Sequence, residues 1–383
     1  MEFQLGEELL AMRDLARKFS EKEIAPTVEA DEKEHRFRPE LVRKMAEQGF
    51  FGGVIPEEYG GTGVGMLATL VMCEEVARVS PSYGLPFNMQ TIGPALTLLR
   101  FGTEEQKKKY IPGLVSAEKM GCFAITEPNS GSDVAAMRMT AVDKGDHYVL
   151  NGTKTWISNA QVADVGLVYA YTDREKKHKG MTCFFVELKG APGMSSTAIE
   201  TKLGLHCAPT GELIFDEARV PKSTVVGQVG DGFKICMAQL DNTRICCAAR
   251  AVGVAQAALD ASVKYANERD AFGQKISDFQ MIQEQIAEMA VEIEAARLLV
   301  HRAAWLIDKG EKPTKDISMA KYFAAETAVK AAGNAVKIYG SYGFSSEYPV
   351  ERLYRDSKSF QIVEGTSNIQ KLIISGFALG KRK

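Results

Sequence analysis

A carboxylate near the end of the chain has the neighbours that a catalytic base needs. Glu364 lies between Val363 and Gly365 in residues 361–370, a stretch of mostly apolar and small side chains. Burial among such neighbours raises the pKa of a carboxyl group toward neutral pH, where it can act as a general base. On this segment alone, an ordinary turn or helix-cap role for Glu364 stays open as the alternative.

Two earlier segments carry side chains that suit a flat cofactor and its phosphates. Residues 123–133 combine hydroxyl side chains with glycine, and the backbone N–H groups of such a loop can bind a pyrophosphate. Residues 154–159 contain Trp156, one of only two tryptophans, whose ring can pack on a cofactor while Ser158 donates a hydrogen bond to it. An ordinary polar loop and a buried structural tryptophan are the alternatives.

The elements that position these segments follow the order helices, strands, helices. Apolar residues recur every three to four positions in residues 5–19, 41–50 and 67–78, which predicts amphipathic helices. Residues 165–172, 181–188 and 212–215 are rich in β-forming side chains, and Asn151-Gly152 predicts a hairpin turn. An apolar stripe from Ile282 to Val300 and an alanine-rich stretch at 319–340 predict two long core helices. We therefore expect a helical domain at 1–120, a β domain at 121–231 and a second helical domain at 232–383.

The composition argues against several classes of function. The net charge is −2 with the charges interspersed, so nothing favours binding to nucleic acid. No CxxC pair or zinc-like spacing is present, and the glycine run 60–65 does not match a dinucleotide-binding fingerprint, so neither a metal nor a nicotinamide cofactor is expected. The first residues lack a secretory signal, and no apolar stretch approaches the roughly 20 residues of a membrane span. These features predict a soluble protein of the bacterial cytoplasm or, in mature form, of the mitochondrial matrix.

Taken together, four segments resemble the acyl-CoA dehydrogenase family over essentially the whole chain. The segments are T-E-P-x-x-G-S-D at 126–133, K-x-W-I-S-N at 154–159, E-R-x-x-F-G at 268–273 and E-G-T-x-x-I-Q at 364–370. The resemblance implies a mostly α fold with a β domain: an N-terminal helical domain, a middle β-barrel domain and a C-terminal four-helix bundle. It also implies bound FAD and a homo-oligomer, which in this family is commonly a tetramer. The implied electron acceptor is an electron-transfer flavoprotein.

The resemblance further assigns roles to individual residues. Glu364 would remove the α proton of an acyl-CoA thioester, with its backbone N–H on the thioester carbonyl, while the β hydride passes to N5 of the flavin and a 2-enoyl-CoA forms. Some relatives carry this base at the position of Thr243, so Glu364 is the candidate here. Contacts to FAD are expected from Phe123, Ala124, Ile125, Thr126, Ser132, Trp156, Ser158, Thr366 and Asn368 and, across a subunit interface, Arg269, Phe272 and Gln280. Contacts to the substrate are expected from Gln90, Thr91, Ser132, Asp241, Arg244, Val363 and Gly365.

Two positions bear on the acyl group. Val363 stands where many straight-chain relatives have tyrosine, which would widen the pocket beside the base. Glutaryl-CoA dehydrogenases hold the distal carboxylate with an arginine near position 84, whereas this chain has Gly84 and no arginine between Arg78 and Arg100. An unpaired buried carboxylate is costly, so a short, branched or alicyclic group such as cyclohexanecarboxyl is favoured. The alternatives are a glutaryl-CoA dehydrogenase, decarboxylating or not, an acyl-CoA oxidase-like flavoprotein, and a non-catalytic CoA-ester-binding protein.

Overall fold

Helices fill the first third of the chain. The structure is a computed structural model that describes residues 4–382. The α-helices of this part are α1 (Glu7–Phe19), α2 (Ala25–Glu34), α3 (Pro39–Glu47), α4 (Met66–Val79), α5 (Pro81–Gly84), α6 (Leu96–Phe101) and α7 (Glu104–Val115). Two π-helical segments, Ser20–Ile24 and Phe87–Ala95, join α1 to α2 and lead into α6. The helices predicted at 5–19, 41–50 and 67–78 are confirmed as α1, α3 and α4.

A β-sheet forms the middle of the chain. Its strands are β1 (Gly121–Ala124), β2 (Thr140–Asp143), β3 (His147–Ser158), β4 (Val165–Tyr171), β5 (Met181–Glu187), β6 (Met194–Ala198), β7 (Thr210–Pro221) and β8 (Val225–Val226). They lie in the order β6-β7-β3-β2-β4-β5-β8, and β1 pairs in parallel with β4. Apolar side chains cover both faces of β4 and β5, so one face packs inside the β domain and the other against helices α6 and α7. The three predicted β-rich runs are confirmed as β4, β5 and β7.

The hairpin predicted at Asn151-Gly152 is wrong. The chain does not reverse there, because β3 continues through both residues and pairs antiparallel with β7 on either side. The register shifts between Leu150 and Gly152, Gly152 has φ +144°, and the Asn151 amide donates to Glu217 across the ladder at 2.7 Å. A β-bulge uses the same tolerance of unusual φ as a tight turn, so the Asn-Gly pair fits both and does not tell them apart.

Long helices return at Gly232 and run to the end of the described chain. They are α8 (Gly232–Glu268), α9 (Gln280–Asp308), α10 (Thr314–Tyr339), α11 (Pro349–Ser357) and α12 (Ser367–Ala378), with a small hairpin of β9 (Asp270–Ala271) and β10 (Gln274–Lys275) after α8. The predicted stripe is confirmed on α9, where Met289, Ile293, Ala296 and Val300 are buried against α8 and α10. The fold class predicted from the sequence, helical ends around a β domain, is thereby confirmed.

Helix α8 also passes the length and composition test for a membrane-spanning helix, which the sequence analysis had not anticipated. Its most apolar 18-residue window has a mean hydropathy of 1.2, and 72% of that window is buried inside the protein. Contacts with α4, α9 and α10 provide that burial, so the apolar composition of α8 is accounted for by its place at the centre of the helical core.

Candidate active site

A cavity of about 940 Å³ opens between the β domain and the C-terminal helices. One set of lining residues comes from the loop after β1 and from the end of β3, and another comes from α8 and the turn before α12. Leu85, which follows α5, and Met89, on the second π-helical segment, also line the cavity. All three parts of the chain therefore contribute to one site.

The turn that carries Glu364 is fixed by donors from three other places. Glu364 and Gly365 both adopt left-handed backbone conformations, with φ +57° and +85°. The Glu364 carbonyl oxygen accepts from Arg244 Nε at 3.1 Å, and the Gly365 carbonyl oxygen accepts from the buried Lys321 Nζ at 2.7 Å. Gln370 Nε2 donates to both carbonyls at 3.3 and 2.9 Å. A non-glycine residue in this conformation is uncommon, and these contacts hold it in place.

Glu364 lines the cavity, and its carboxylate receives two hydrogen bonds. The Thr243 hydroxyl donates to Oε2 at 2.6 Å, and Asn88 Nδ2 approaches Oε1 at 3.4 Å. Burial raises the pKa of Glu364 above its ordinary value, while the Thr243 bond and then Arg250 and Arg244 oppose that rise. The result is a carboxyl group whose proton affinity is higher than that of an exposed glutamate, as a base working near neutral pH requires.

The wall formed by β1 and β3 presents a flat ring and free hydroxyl groups. Trp156 has φ +59° at an irregularity of β3, and its ring remains 58% exposed at the cavity. Thr126 and Ser158 line the same wall, and within residues 4–382 their hydroxyls make no hydrogen bond. Phe123 and Ile125 supply apolar surface beside them. An aromatic face with unused donors nearby fits an isoalloxazine ring.

The N-terminus of α12 faces the same cavity. Thr366 is its N-cap residue and accepts from the Ile369 N–H at 3.3 Å, and both residues line the cavity. Ser132, on the loop after β1, also lines it. The free N–H groups and positive dipole end of a helix suit a phosphate group. The cavity therefore fits both the ring and the pyrophosphate of FAD.

A buried ion pair supports the cofactor wall from behind. Lys154 Nζ lies 2.8 Å from Glu127 Oε1 and 3.0 Å from the Ile125 carbonyl oxygen, and both charged side chains are buried. Glu127 also accepts from the Met139 N–H at 3.0 Å. These contacts tie the loop after β1 to β3, so the two segments singled out in the sequence are held together by their own charged residues.

Asp241 and Arg244, two of the residues expected to contact the substrate, lie together at the cavity. Their side chains form an ion pair of 2.9 Å, and Thr314 Oγ1 donates to the second oxygen of Asp241 at 2.9 Å. Arg244 uses Nε for the Glu364 turn and Nη1 for Asp241. The pair therefore links an expected substrate contact, Asp241, to the backbone of the candidate base. Val363 and Gly365 also line the cavity.

Three residues assigned to the site from the sequence do not line this cavity. Gln90 is fully buried, with Nε2 donating to the Leu114 and Lys119 carbonyls and Oε1 accepting from the Gly121 N–H, so its polar atoms are already used. Thr91 is also buried away from the cavity and donates to the Phe87 carbonyl. Ala124 packs in the core of the β domain, because alternate side chains of a strand face opposite sides and Phe123 takes the cavity side.

Four further expected contacts lie outside this cavity within the single chain. Arg269 is the C-cap residue of α8, Phe272 lies in the turn between β9 and β10, and Gln280 begins α9. Phe272 is 97% exposed, and Asn368 is exposed on α12. These residues remain predictions that concern a neighbouring subunit or a more distant part of FAD.

The sequence analysis missed the residues that hold the base from other elements. They are Asn88 on the π-helical segment, Lys321 on α10 and Gln370 on α12. The sequence analysis also missed Arg250 on α8, which lines the cavity. Each is a single polar residue within an apolar helical pattern. The one sequence feature that could have indicated such a role is a lysine within an alanine-rich helix, since lysine is rarely buried unless it is paired.

Three family models together cover most of the chain. They describe the acyl-CoA dehydrogenase N-terminal domain at residues 6–118, the middle domain at 122–218 and the C-terminal domain at 230–379. Among similar proteins, the glutaryl-CoA dehydrogenase of Desulfococcus multivorans is 50% identical over 387 residues, covering 100% of this chain and 99% of that protein. The caffeyl-CoA reductase-Etf complex subunit CarC of Acetobacterium woodii is 43% identical and covers 97% and 98%.

Solved structures show the same architecture. A glutaryl-coenzyme A dehydrogenase in complex with glutaryl-CoA superposes with a TM-score of 0.97 at 49% identity, covering 100% of this chain and 98% of that one. PigA with FAD and proline superposes with a TM-score of 0.95 at 30% identity and covers both chains fully.

Proposed function

Because the chain belongs to the acyl-CoA dehydrogenase family and is therefore an FAD-dependent oxidoreductase of acyl-CoA thioesters, we propose that Glu364 is the base that removes the α proton of its substrate. The observation that carries this proposal is the geometry of the Glu364 turn. Held in this turn, Glu364 lines the same cavity as Trp156, Thr126 and Ser158, where the flavin ring is expected. When bound, FAD supplies the acceptor for the hydride that leaves the β carbon.

The backbone of Glu364 supports the same role. Within residues 4–382 its N–H donates to no acceptor, although the carbonyls of Glu364 and Gly365 are both engaged. A free donor beside the base can hold the thioester carbonyl. Holding that oxygen stabilises the negative charge that develops as the α proton leaves, and so acidifies the α C–H bond. One residue thus combines the base and a carbonyl donor.

The expected acyl end of the cavity carries apolar side chains. Leu85, Met89 and Val363 line it. The sequence argument against glutaryl-CoA rested on the lack of an arginine near Gly84 along the chain. In the structure Arg250, from α8, lies against Gly84 and lines the same cavity. That argument therefore no longer separates a branched or alicyclic group from one that ends in a carboxylate.

The partners follow from exposed surface and from relatives. The Arg269–Gln280 region presents the nearly fully exposed Phe272, which supports contact with a second copy of the chain that completes the FAD site. The relative in Acetobacterium woodii is a subunit of a complex with an Etf, which supports an electron-transfer flavoprotein as acceptor. The bacterial relatives support a cytoplasmic location.

Anaerobic titration tests the proposal. The purified protein should show flavin absorbance that bleaches when a short acyl-CoA is added. Glu364→Gln should keep the absorbance and lose about 10²–10⁴-fold in bleaching rate, the usual contribution of a general base. Glu292→Gln, on the outer face of α9 where it pairs with Lys330, is the matched control and should bleach like the wild type. Undiminished bleaching by Glu364→Gln would refute the assignment, and peroxide release during aerobic turnover would favour the oxidase-like alternative.

A further inference from the structure

Arg250 is a buried cation whose partner the described chain does not supply. Its side chain is only 1% exposed, yet it lines the cavity. Nε and Nη2 have no hydrogen-bond partner, and no carboxylate of residues 4–382 lies within 4.0 Å of the guanidinium. Burying a charge without a partner is strongly unfavourable, so an unpaired buried charge in a folded protein usually serves a function.

The two unpaired nitrogens of Arg250, Nε and Nη2, are the atoms with which other arginines of this chain bind carboxylates. Three other arginines place Nε and Nη2 on the two oxygens of one carboxylate, at 2.7 to 3.0 Å. These pairs are Arg17 with Glu75, Arg38 with Asp31 and Arg355 with Glu351. This two-pronged arrangement is the strongest geometry between an arginine and a carboxylate. The side of the Arg250 guanidinium that carries Nε and Nη2 therefore matches a carboxylate in shape and in charge.

The neighbours of Arg250 do not fill that place. Cys246 and Cys247 lie beside it on α8, but burial raises the pKa of both thiols, so they are neutral at physiological pH. The Glu364 carboxylate attracts Arg250 from a distance and takes its own hydrogen bonds from Thr243 and Asn88. On its other side the guanidinium faces the Phe360 ring at 5.6 Å. The described residues therefore do not supply the anion that Arg250 lacks.

The position of Arg250 relative to the base suits a short spacer. Thr243, which binds the Glu364 carboxylate, and Arg250 are seven residues apart on α8, so they share a face about 10 Å apart along the axis. Long side chains lean toward the N-terminus of their helix, which brings the guanidinium back toward Thr243 and the base. Gly84 makes room for it, because a Cβ at that position would lie 2.9 Å from Arg250 Cδ.

We propose, on the basis of the function proposed above, that Arg250 binds the distal carboxylate of a short dicarboxylic acyl-CoA and so determines the substrate class. The thioester end lies at Glu364 and the far carboxylate at Arg250. Because Nε and Nη2 have no exposed surface before a ligand binds, the guanidinium must rotate toward the cavity to receive the carboxylate. The glycine at position 84 and the unpaired arginine at position 250 then have one explanation.

Paired substrates of equal chain length test this proposal. The kcat/KM of the wild type should be at least tenfold higher for glutaryl-CoA than for pentanoyl-CoA, which lacks only the distal carboxylate. In Arg250→Gln that ratio should fall about 100-fold, within the usual cost of truncating one partner of a buried charge pair. Arg78→Gln is the matched control, since Arg78 pairs with Asp260 outside the cavity, and it should leave the ratio within threefold of the wild type.

Equilibrium binding separates this proposal from the assignment of the base. CoA thioethers of equal length that end in a carboxylate or in a methyl group cannot be oxidised by removal of an acidic α proton. The wild type should bind the carboxylate form more tightly, and Arg250→Gln should lose that preference whatever Glu364→Gln does to turnover. Arg250→Lys keeps the charge without the two-pronged geometry and should show a ratio between those of the wild type and Arg250→Gln. A wild type that prefers pentanoyl-CoA, or cyclohexanecarboxyl-CoA, overturns the proposal even if no variant folds.

Discussion

Removal of the Thr243 hydroxyl should move the pH dependence of catalysis in a predictable direction. Thr243 is fully buried on α8 and donates at 2.6 Å to Glu364 Oε2. A hydrogen bond to a charged group is worth about 1.5–3 kcal/mol. Thr243→Val keeps the shape of the side chain and removes the donor, so the ionised form of Glu364 loses that stabilisation. The acid dissociation constant should fall by roughly one to two orders of magnitude, since each tenfold step is about 1.4 kcal/mol.

The direction in which the pH profile moves follows from the role of Glu364 as the base. Glu364 must be ionised to take a proton, so activity is lost as the pH falls through its pKa. Burial already raises this pKa, and the Thr243 bond is the largest factor opposing that rise. In Thr243→Val the acidic limb of the kcat/KM profile should therefore move to higher pH, while the activity at high pH is retained. The profile is measured with one acyl-CoA and an artificial electron acceptor over the full pH range in which the flavin stays bound.

Thr243→Ser provides the matched control because it retains the hydroxyl, and its acidic limb should stay near that of the wild type. Flavin absorbance and thermal unfolding show whether both variants keep the fold. An acidic limb that stays in place in Thr243→Val, in a protein that still binds FAD, would show that the short contact does not act on the base.

Three further predictions concern stability and cofactor binding. Lys154→Met leaves the buried Glu127 carboxylate without its cation and should lower the free energy of unfolding by about 3–5 kcal/mol in urea titrations. Thr366→Ala removes the N-cap of α12 at the cavity and should cost about 1 kcal/mol of stability, with flavin released at a lower temperature. Burial and then the charge of Glu32 raise the pKa of Asp356 to about 7 from an ordinary 3.8, so the native protein loses stability as pH rises through that window. Asp356→Asn should flatten the dependence of unfolding free energy on pH between those two values.

Much of the fold could be predicted because its determinants are local. The apolar stripes of α4 and α9 lie within single segments, and the helical period of those stripes is enough to identify each helix. The error at Asn151-Gly152 has a local origin as well. The pair reports only that an unusual φ is tolerated, and whether that φ makes a turn or a bulge depends on β7, some 60 residues away.

The same contrast between local features and contacts with distant segments applies to the site. Trp156 and Glu364 were identified because each stands out within its own segment, and both line the cavity. Ala124 was assigned to FAD because it belongs to a cofactor segment, but strand alternation turns its side chain into the β core. Lys321 was not identified at all, since its contact with the Gly365 carbonyl joins α10 to a turn 44 residues later.

The inference about the substrate shows why a missing residue type is a weaker argument than a present one. The lack of an arginine between Arg78 and Arg100 excludes one way of supplying a cation to the acyl pocket, and it says nothing about the helices that pack against that segment. Helix α8 crosses the same space, and its Arg250 occupies the room that Gly84 leaves. Under the proposal made above, glycine at position 84 allows α8 to supply the cation, because a Cβ there would crowd the Cγ and Cδ atoms of Arg250. A substitution such as Gly84→Ala should accordingly weaken the preference for a distal carboxylate, since its Cβ would lie 2.9 Å from Arg250 Cδ.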